Sequence, residues 1–213
     1  MSLTAFERPA AGEAEGALIL LHGRGAGEMQ LAGLFDVLDP ERRLLGLAPR
    51  APHEQVRGSR WYAAERAGVP ERESFLSSCE LASEWLDGLG LAPERIVLGG
   101  FSQGATISYA LGLGAGRERP GAVIAISGYI PELAGWDLDL RSPLPSFAVG
   151  HGVYDEVIPV ELARAARVKL QAAGAELLYR EWPLGHAVDP SFLEETAAWL
   201  RRSLRRGGAS AGA

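Results

Sequence analysis

One cysteine and one lysine are all that this chain has of either residue, and no apolar run in it is long enough to span a bilayer. The lone thiol, Cys79, excludes an intrachain disulfide and a thiolate metal site. It falls on the apolar side of a helical pattern and reads as a small buried hydrophobe rather than a reactive group. Lys169 is the single lysine, so the basic residues are otherwise all arginine, a composition bias rather than a chemical signal. The net charge of -6 excludes nucleic acid as a partner, because gripping phosphates needs a basic surface. Nothing approaches the ~20 apolar residues of a membrane span, so no stable membrane insertion is expected. Met1–Pro9 lacks the basic start and apolar core of a signal peptide, and a cytoplasmic protein is the expectation. No histidines or carboxylates stand at metal-ligand spacing, and neither metal nor cofactor is expected.

What is present is ordinary globular material: 213 residues, 47% apolar and 23% charged. That length suits one α/β domain and is short for two. Apolar runs at Ala17–Leu21, Arg43–Leu47, Arg95–Leu98, Gly121–Ile126, Ser146–Val149 and Glu176–Glu181 alternate with helical patterns. The helices are placed near Met29–Leu38, Glu73–Leu89, Gln103–Leu113, Val160–Ala173 and Pro190–Leu204, the last with Asp189 as its N-cap. Continuous apolar strands separated by helices predict a mostly parallel central sheet covered on both faces. Residues 1–206 read as a single domain and 207–213 as a flexible tail. The link Ser127–Pro145 has room for a short helix but not for a lid domain, which suits short or medium acyl groups.

The strongest chemical signal is Gly100-Phe101-Ser102-Gln103-Gly104, directly behind Ile96-Val97-Leu98. A serine with glycines two residues to either side suits a tight strand-to-helix turn that holds its hydroxyl out at the end of a sheet. Alone the pentapeptide is weak evidence in a chain with 27 glycines. Its context is better. Ligands bind at the carboxyl ends of strands in open α/β sheets, and there the chain places Ser102, then Asp155 within Gly150–Asp155, then His186 after Gly185. Ser…Asp…His is the chain order of the α/β-hydrolase triad.

Each residue type has a chemical reason. A serine hydroxyl needs a base to take its proton. An imidazole titrating near about 6.5 can accept that proton and return it. A carboxylate on the other ring nitrogen fixes the tautomer. Asp189, before a proline, reads as a helix cap, and Glu156 is a substitute acid. His22 and His151 read as ring fasteners of strand-end loops, and His53 as a surface residue. The backbone N–H of Gln103 is one expected oxyanion donor; Arg24 is the first choice for the second and Gly25 the next. Trp61, Tyr62, Met29, Leu184 and Val188 are candidate substrate-binding residues, each equally readable as core.

Leu21-His22-Gly23-Arg24-Gly25, the Ser102 pentapeptide, His151–Pro159 and Gly185-His186 resemble the motifs of the phospholipase/carboxylesterase family, which includes acyl-protein thioesterases and small bacterial carboxylesterases. Leu47–Pro52, Arg60-Trp61-Tyr62 and Ser127–Pro131 resemble further marks of it, so the likeness covers nearly the whole chain from Ala17. The resemblance implies an α/β-hydrolase fold without a large lid domain and cofactor-free esterase activity on small-molecule esters. It also implies catalytic roles for Ser102, Asp155 and His186, with Arg24 and Gln103 at the oxyanion positions. Two residues depart from the family pattern: Arg24 replaces an apolar residue and Ala105 a second glycine. A guanidinium at the mouth of the site suits a substrate carrying carboxylate or phosphate; turned to solvent it selects nothing. Peptidase or dienelactone-hydrolase-like chemistry, and a non-catalytic binding module of the same fold, are the alternatives. The chain leaves a homodimer open.

Overall fold

A computed structural model describes residues 3–210. Seven strands form the main sheet: β1 (Ala5–Arg8), β2 (Ala17–Leu21), β3 (Leu45–Pro49), β8 (Ile96–Phe101), β9 (Ala122–Ile126), β10 (Ser146–Gly152) and β11 (Leu177–Trp182). Two small hairpins, β4–β5 (His53–Glu54, Ser59–Arg60) and β6–β7 (Ala64–Arg66, Val69–Pro70), stand outside it. The helices are α1 (Leu34–Leu38), α2 (Arg72–Asp87), α3 (Gln103–Leu113), α4 (Val160–Ala172) and α5 (Pro190–Ser210).

The spatial order is β1-β3-β2-β8-β9-β10-β11, parallel except for the antiparallel edge pair β1 and β3. From β2 the chain moves outward to β3, then returns to β8 on the other side and runs on to β11. The switch point therefore lies between β2 and β8, where the crevice outside the strand ends receives ligands in sheets of this kind.

Side-chain alternation along each strand sorts the core into two faces. Leu18, Leu20, Val97 and Ile124 pack with Phe35 of α1 and Leu193, Trp199 and Leu200 of α5. Ile19, Leu21 and Leu98 point the other way, onto Phe75 and Leu86 of α2 and Ile107 of α3. Val123 and Val149 continue that second face against Tyr109 of α3 and Leu170 of α4. Cys79 lies in α2 beside this core, where burial pushes its thiol up to about 12.

Several expectations change in detail. The first helix is only Leu34–Leu38, because turns occupy Met29–Gly33 and the Gln30 side chain is committed to the Gly23 N–H. The Ser127–Pro145 link holds no helix; Arg119 ties part of it down through the carbonyls of Asp139, Arg141 and Pro143. His53 is half-buried in β4 rather than on the surface. Where a tail was expected from Gly207, α5 continues to Ser210; Ala211–Ala213 lie outside the described residues. Among the described residues no helix is long and apolar enough to cross a membrane.

Candidate active site

Ser102 occupies the turn between β8 and α3 with φ +57° and ψ −118°, a conformation that non-glycine residues avoid. Such strain costs of order 1–3 kcal/mol and persists only where the surroundings enforce it. Two constraints do so here. The Ser102 N–H donates to the Ile126 carbonyl of β9 at 2.9 Å. The flanking glycines let the chain fold back on itself: a Cβ on Gly100 would stand 2.3 Å from the Gly104 carbonyl carbon, and one on Gly104 only 1.9 Å from the Leu21 oxygen. Ser102 makes no side-chain cap to α3, which leaves its hydroxyl uncommitted. Ala105, where a second glycine was expected, is accommodated by Gly128: a Cβ there would come within 2.5 Å of the Ala105 methyl.

Asp155 and His186 meet across the ends of β10 and β11. His186 Nδ1 lies 2.7 Å from Asp155 Oδ2, and the carboxylate can only accept, so Nδ1 carries the proton and Nε2 is left free. The other carboxylate oxygen accepts the N–H groups of Val157 at 2.9 Å and Ile158 at 2.8 Å. Burial alone would raise the Asp155 carboxyl. The Ile158 N–H and His186 outweigh it and hold the group below its ordinary value. The His186 ring packs on Phe101, with centroids 4.7 Å apart, which sets the imidazole beside the turn that carries Ser102. Asp189 is not part of this group: its Oδ1 accepts the Ser191 and Phe192 N–H groups and caps α5.

The loop after β2 presents an unengaged backbone donor beside Ser102. The Gly23 N–H donates to Gln30 Oε1 at 2.8 Å and the Gly25 N–H to the Ser59 carbonyl at 2.8 Å. That leaves the Arg24 N–H between them without a backbone or side-chain acceptor among the described residues. Gly23 sits so close to the turn carrying Ser102 that a Cβ on it would touch Ser102 Cβ at 3.5 Å. Across the gap the Gln103 N–H opens α3, one of the first-turn donors that a helix cannot satisfy internally.

A cavity of about 250 Å³ adjoins Ser102 and Gln103, lined also by Arg24, Tyr62, Tyr129 and Ile158. Hollows of about 270 and 530 Å³ lie around Arg117 and Pro93 at the opposite ends of the strands, away from these groups. Of the five candidate substrate-binding residues only Tyr62 lines the cavity. Trp61 is fully buried in the core, donating through Nε1 to the His22 carbonyl at 3.0 Å. Its backbone N–H donates to Gln103 Oε1, and Gln103 Nε2 donates in turn to the Tyr62 carbonyl. It braces the site from behind. Val188 packs against the core, and Met29 and Leu184 are exposed and outside the cavity. Tyr129, whose hydroxyl lies 3.2 Å from that of Tyr62, had no assigned role from sequence, although Ser127–Pro131 had stood out as a motif.

His22 and His151 do fasten loops. His22 Nδ1 donates to the Gly23 carbonyl at 2.7 Å, and Nε2 accepts the Ala51 N–H at 3.0 Å. His151 Nε2 donates to the Ile158 carbonyl at 2.7 Å and lies 3.3 Å from Asp155 Oδ2, while its buried Nδ1 has no partner. Burial holds both rings below the ordinary imidazole value. The unfolded chain takes up a proton on each near pH 6.5, the folded chain only at lower pH. Their contribution to stability is therefore complete above about pH 6.5 and declines below it, by at most about 1.4 kcal/mol per pH unit for each ring. In a His186→Gln background, Tm is expected to be lower at pH 5.5 than at pH 7.5. Equal values would mean that the folded protein protonates these rings as readily as the unfolded one.

The family model described as phospholipase/carboxylesterase matches residues 7–204. The chain belongs to that family. Membership makes this chain an ester-hydrolysing enzyme with the α/β-hydrolase fold. Among its relatives is a protein named acyl-protein thioesterase 1 from Gibberella zeae, 26% identical over 224 residues, covering 92% of this chain and 94% of that protein. Another of the same name, from Candida albicans, is 32% identical over 184 residues, covering 74% and 78%. Among solved structures, esterase PE8 superposes with a TM-score of 0.81 at 28% identity, covering 95% of this chain and 99% of its own.

Proposed function

We propose that this hydrolase cleaves carboxylic esters through a covalent acyl-enzyme, with Ser102 as nucleophile, His186 as general base and acid, and Asp155 as the orienting carboxylate. The observation that carries the reading is the 2.7 Å contact between His186 Nδ1 and Asp155, on the imidazole that packs at a tilt against Phe101 beside the strained Ser102. His186 Nε2 removes the Ser102 proton as Oγ attacks the ester carbonyl carbon. The Arg24 and Gln103 N–H groups then hold the developing oxyanion, one such donor contributing about 3–4 kcal/mol. Collapse of the tetrahedral intermediate breaks the bond to the alcohol, which leaves with the proton from His186. Water, deprotonated by the same imidazole, attacks the acyl-serine; Ser102 recovers its proton and the carboxylic acid departs. Tyr62 and Tyr129 line the acyl pocket as neutral phenols, burial raising both above the ordinary tyrosine value.

Thioesters fit the same sequence, with a thiol as leaving group, and the relatives named acyl-protein thioesterase favour including them. A fluorophosphonate probe is expected to label wild type and not Ser102→Ala. Equal labelling of both, or of neither, removes the covalent mechanism.

A further inference from the structure

Among the described residues, the cavity beside Ser102 is lined by two positive side chains and no negative one. Arg24 comes from the loop after β2 and Arg66 from the end of β6. In a chain of net charge -6 this local excess runs against the background. Several arginines elsewhere pair with carboxylates: Arg8 with Asp39, Arg43 with Glu15, Arg50 with Glu28 and Glu54, Arg164 with Glu181, Arg180 with Glu195. Among the described residues Arg24 and Arg66 have no such carboxylate, and both are exposed at the cavity.

The placement of Arg66 is built into the backbone. In the β6–β7 hairpin Ala64 faces Pro70 and Arg66 faces Val69, with a register shift between Ala64 and Arg66. A bulge of this kind re-aims the side chain that follows it. The hairpin tip is Gly68, at φ +77°, and a Cβ there would stand 3.0 Å from Leu162 of α4, so the tip rests on that helix. The arm that carries Arg66 over the cavity is thus braced.

We propose that Arg24 and Arg66 form an anion clamp, and that the preferred substrates are short esters carrying a carboxylate or phosphate a few bonds from the scissile carbonyl. This inference rests on the serine-hydrolase reading above. A guanidinium stays charged at every working pH and offers a planar fork of donors that matches either anion. The cavity's 250 Å³ falls below the roughly 300–1,000 Å³ of pockets for drug-sized ligands, which suits a short chain ending in charge.

The test compares kcat/KM for charged and neutral esters of matched shape on the same enzyme. In one arm the charge is on the acyl side: monomethyl glutarate against methyl 5-oxohexanoate. In the other it is on the alcohol side: the butyryl ester of glycerol 3-phosphate against monobutyrin. Wild type is expected to favour the charged ester at least about tenfold in one arm, which identifies the source of the anion. Arg66→Met and Arg24→Met should each lower that ratio about tenfold, Arg66→Lys should restore part of it, and 0.5 M NaCl should shrink it. Because the ratio is taken within one variant, any general loss of turnover cancels. A wild-type ratio near one in both arms, or a ratio that neither substitution moves, overturns the clamp. Fluorophosphonate labelling run alongside separates the two failures: an unlabelled wild type fails the hydrolase reading itself, and a labelled enzyme without charge preference fails the clamp alone.

Discussion

Asp155→Asn is expected to lower kcat about ten thousand-fold, the loss typical when the orienting acid of a serine triad becomes an amide. The geometry explains why so small a change should do so much. One carboxylate oxygen accepts two backbone N–H groups, and the other faces His186 Nδ1 at 2.7 Å and His151 Nε2 at 3.3 Å. Every neighbour is a donor. An asparagine that keeps its oxygen on Val157 and Ile158 points its NH₂ at His186. That ring can then accept only by moving its proton to Nε2, which removes the base that Ser102 needs. The flipped amide restores the histidine contact but sets NH₂ against two backbone N–H groups that have no other acceptor. Steady-state turnover of a soluble p-nitrophenyl ester, with circular dichroism to check folding, measures the effect. A loss under tenfold in a folded variant would show that another group, Glu156 being the nearest in sequence, orients the imidazole.

The second large effect is on stability. Gly104→Ala should destabilise the fold by about 4 kcal/mol or more, at the diagnostic end of single substitutions. Its Cβ would stand 1.9 Å from the Leu21 oxygen, 2.4 Å from the Leu21 carbon and 2.8 Å from the His22 oxygen. All three are main-chain atoms in a buried strand end, so no side chain can swing away to make room. Relief requires α3 to lift from β2, which takes Ser102 and the Arg24 loop out of register together. For a domain of this size the drop in Tm should be about 10 °C. Gly33→Ala is the control: nothing lies within 4 Å of its Cβ, and its φ of −66° suits any residue. Thermal melts of the two variants side by side decide the matter. A Gly104→Ala Tm within a few degrees of wild type would mean that the elbow has slack its geometry denies.

The central strands, and the strand-end places of Ser102, Asp155 and His186, were legible because they rest on local patterns. A run such as Ala17–Leu21 is apolar at every position, as a strand covered on both faces must be, and it is fully buried. Other elements were not legible for equally physical reasons. β1, Ala-Phe-Glu-Arg, has no apolar run; pairing with β3 and the stacking of Phe6 on Phe35 hold it at the edge. The hairpins β4–β7 are two or three residues per strand, too short for any period to show. Trp61 and Tyr62 are adjacent aromatics that sequence cannot tell apart. Both are buried, and only the packed structure brings Tyr62 and not Trp61 to the cavity wall.

By itself, the order of residues determined which side chains stand near strand ends, although β3, β8 and β10 run past the apolar runs that mark them, to Pro49, Phe101 and Gly152. It also determined the elbow, because close backbone contact admits only glycine on either side of Ser102. Tertiary structure alone decided how distant groups share their hydrogen bonds. The Arg24 N–H is the free donor because Gln30 and Ser59, seven and more residues away along the chain, take the N–H groups on either side of it. The pairing of Arg24 with Arg66 is likewise a product of folding, set by where a braced hairpin comes to rest, and no spacing along the chain announces it.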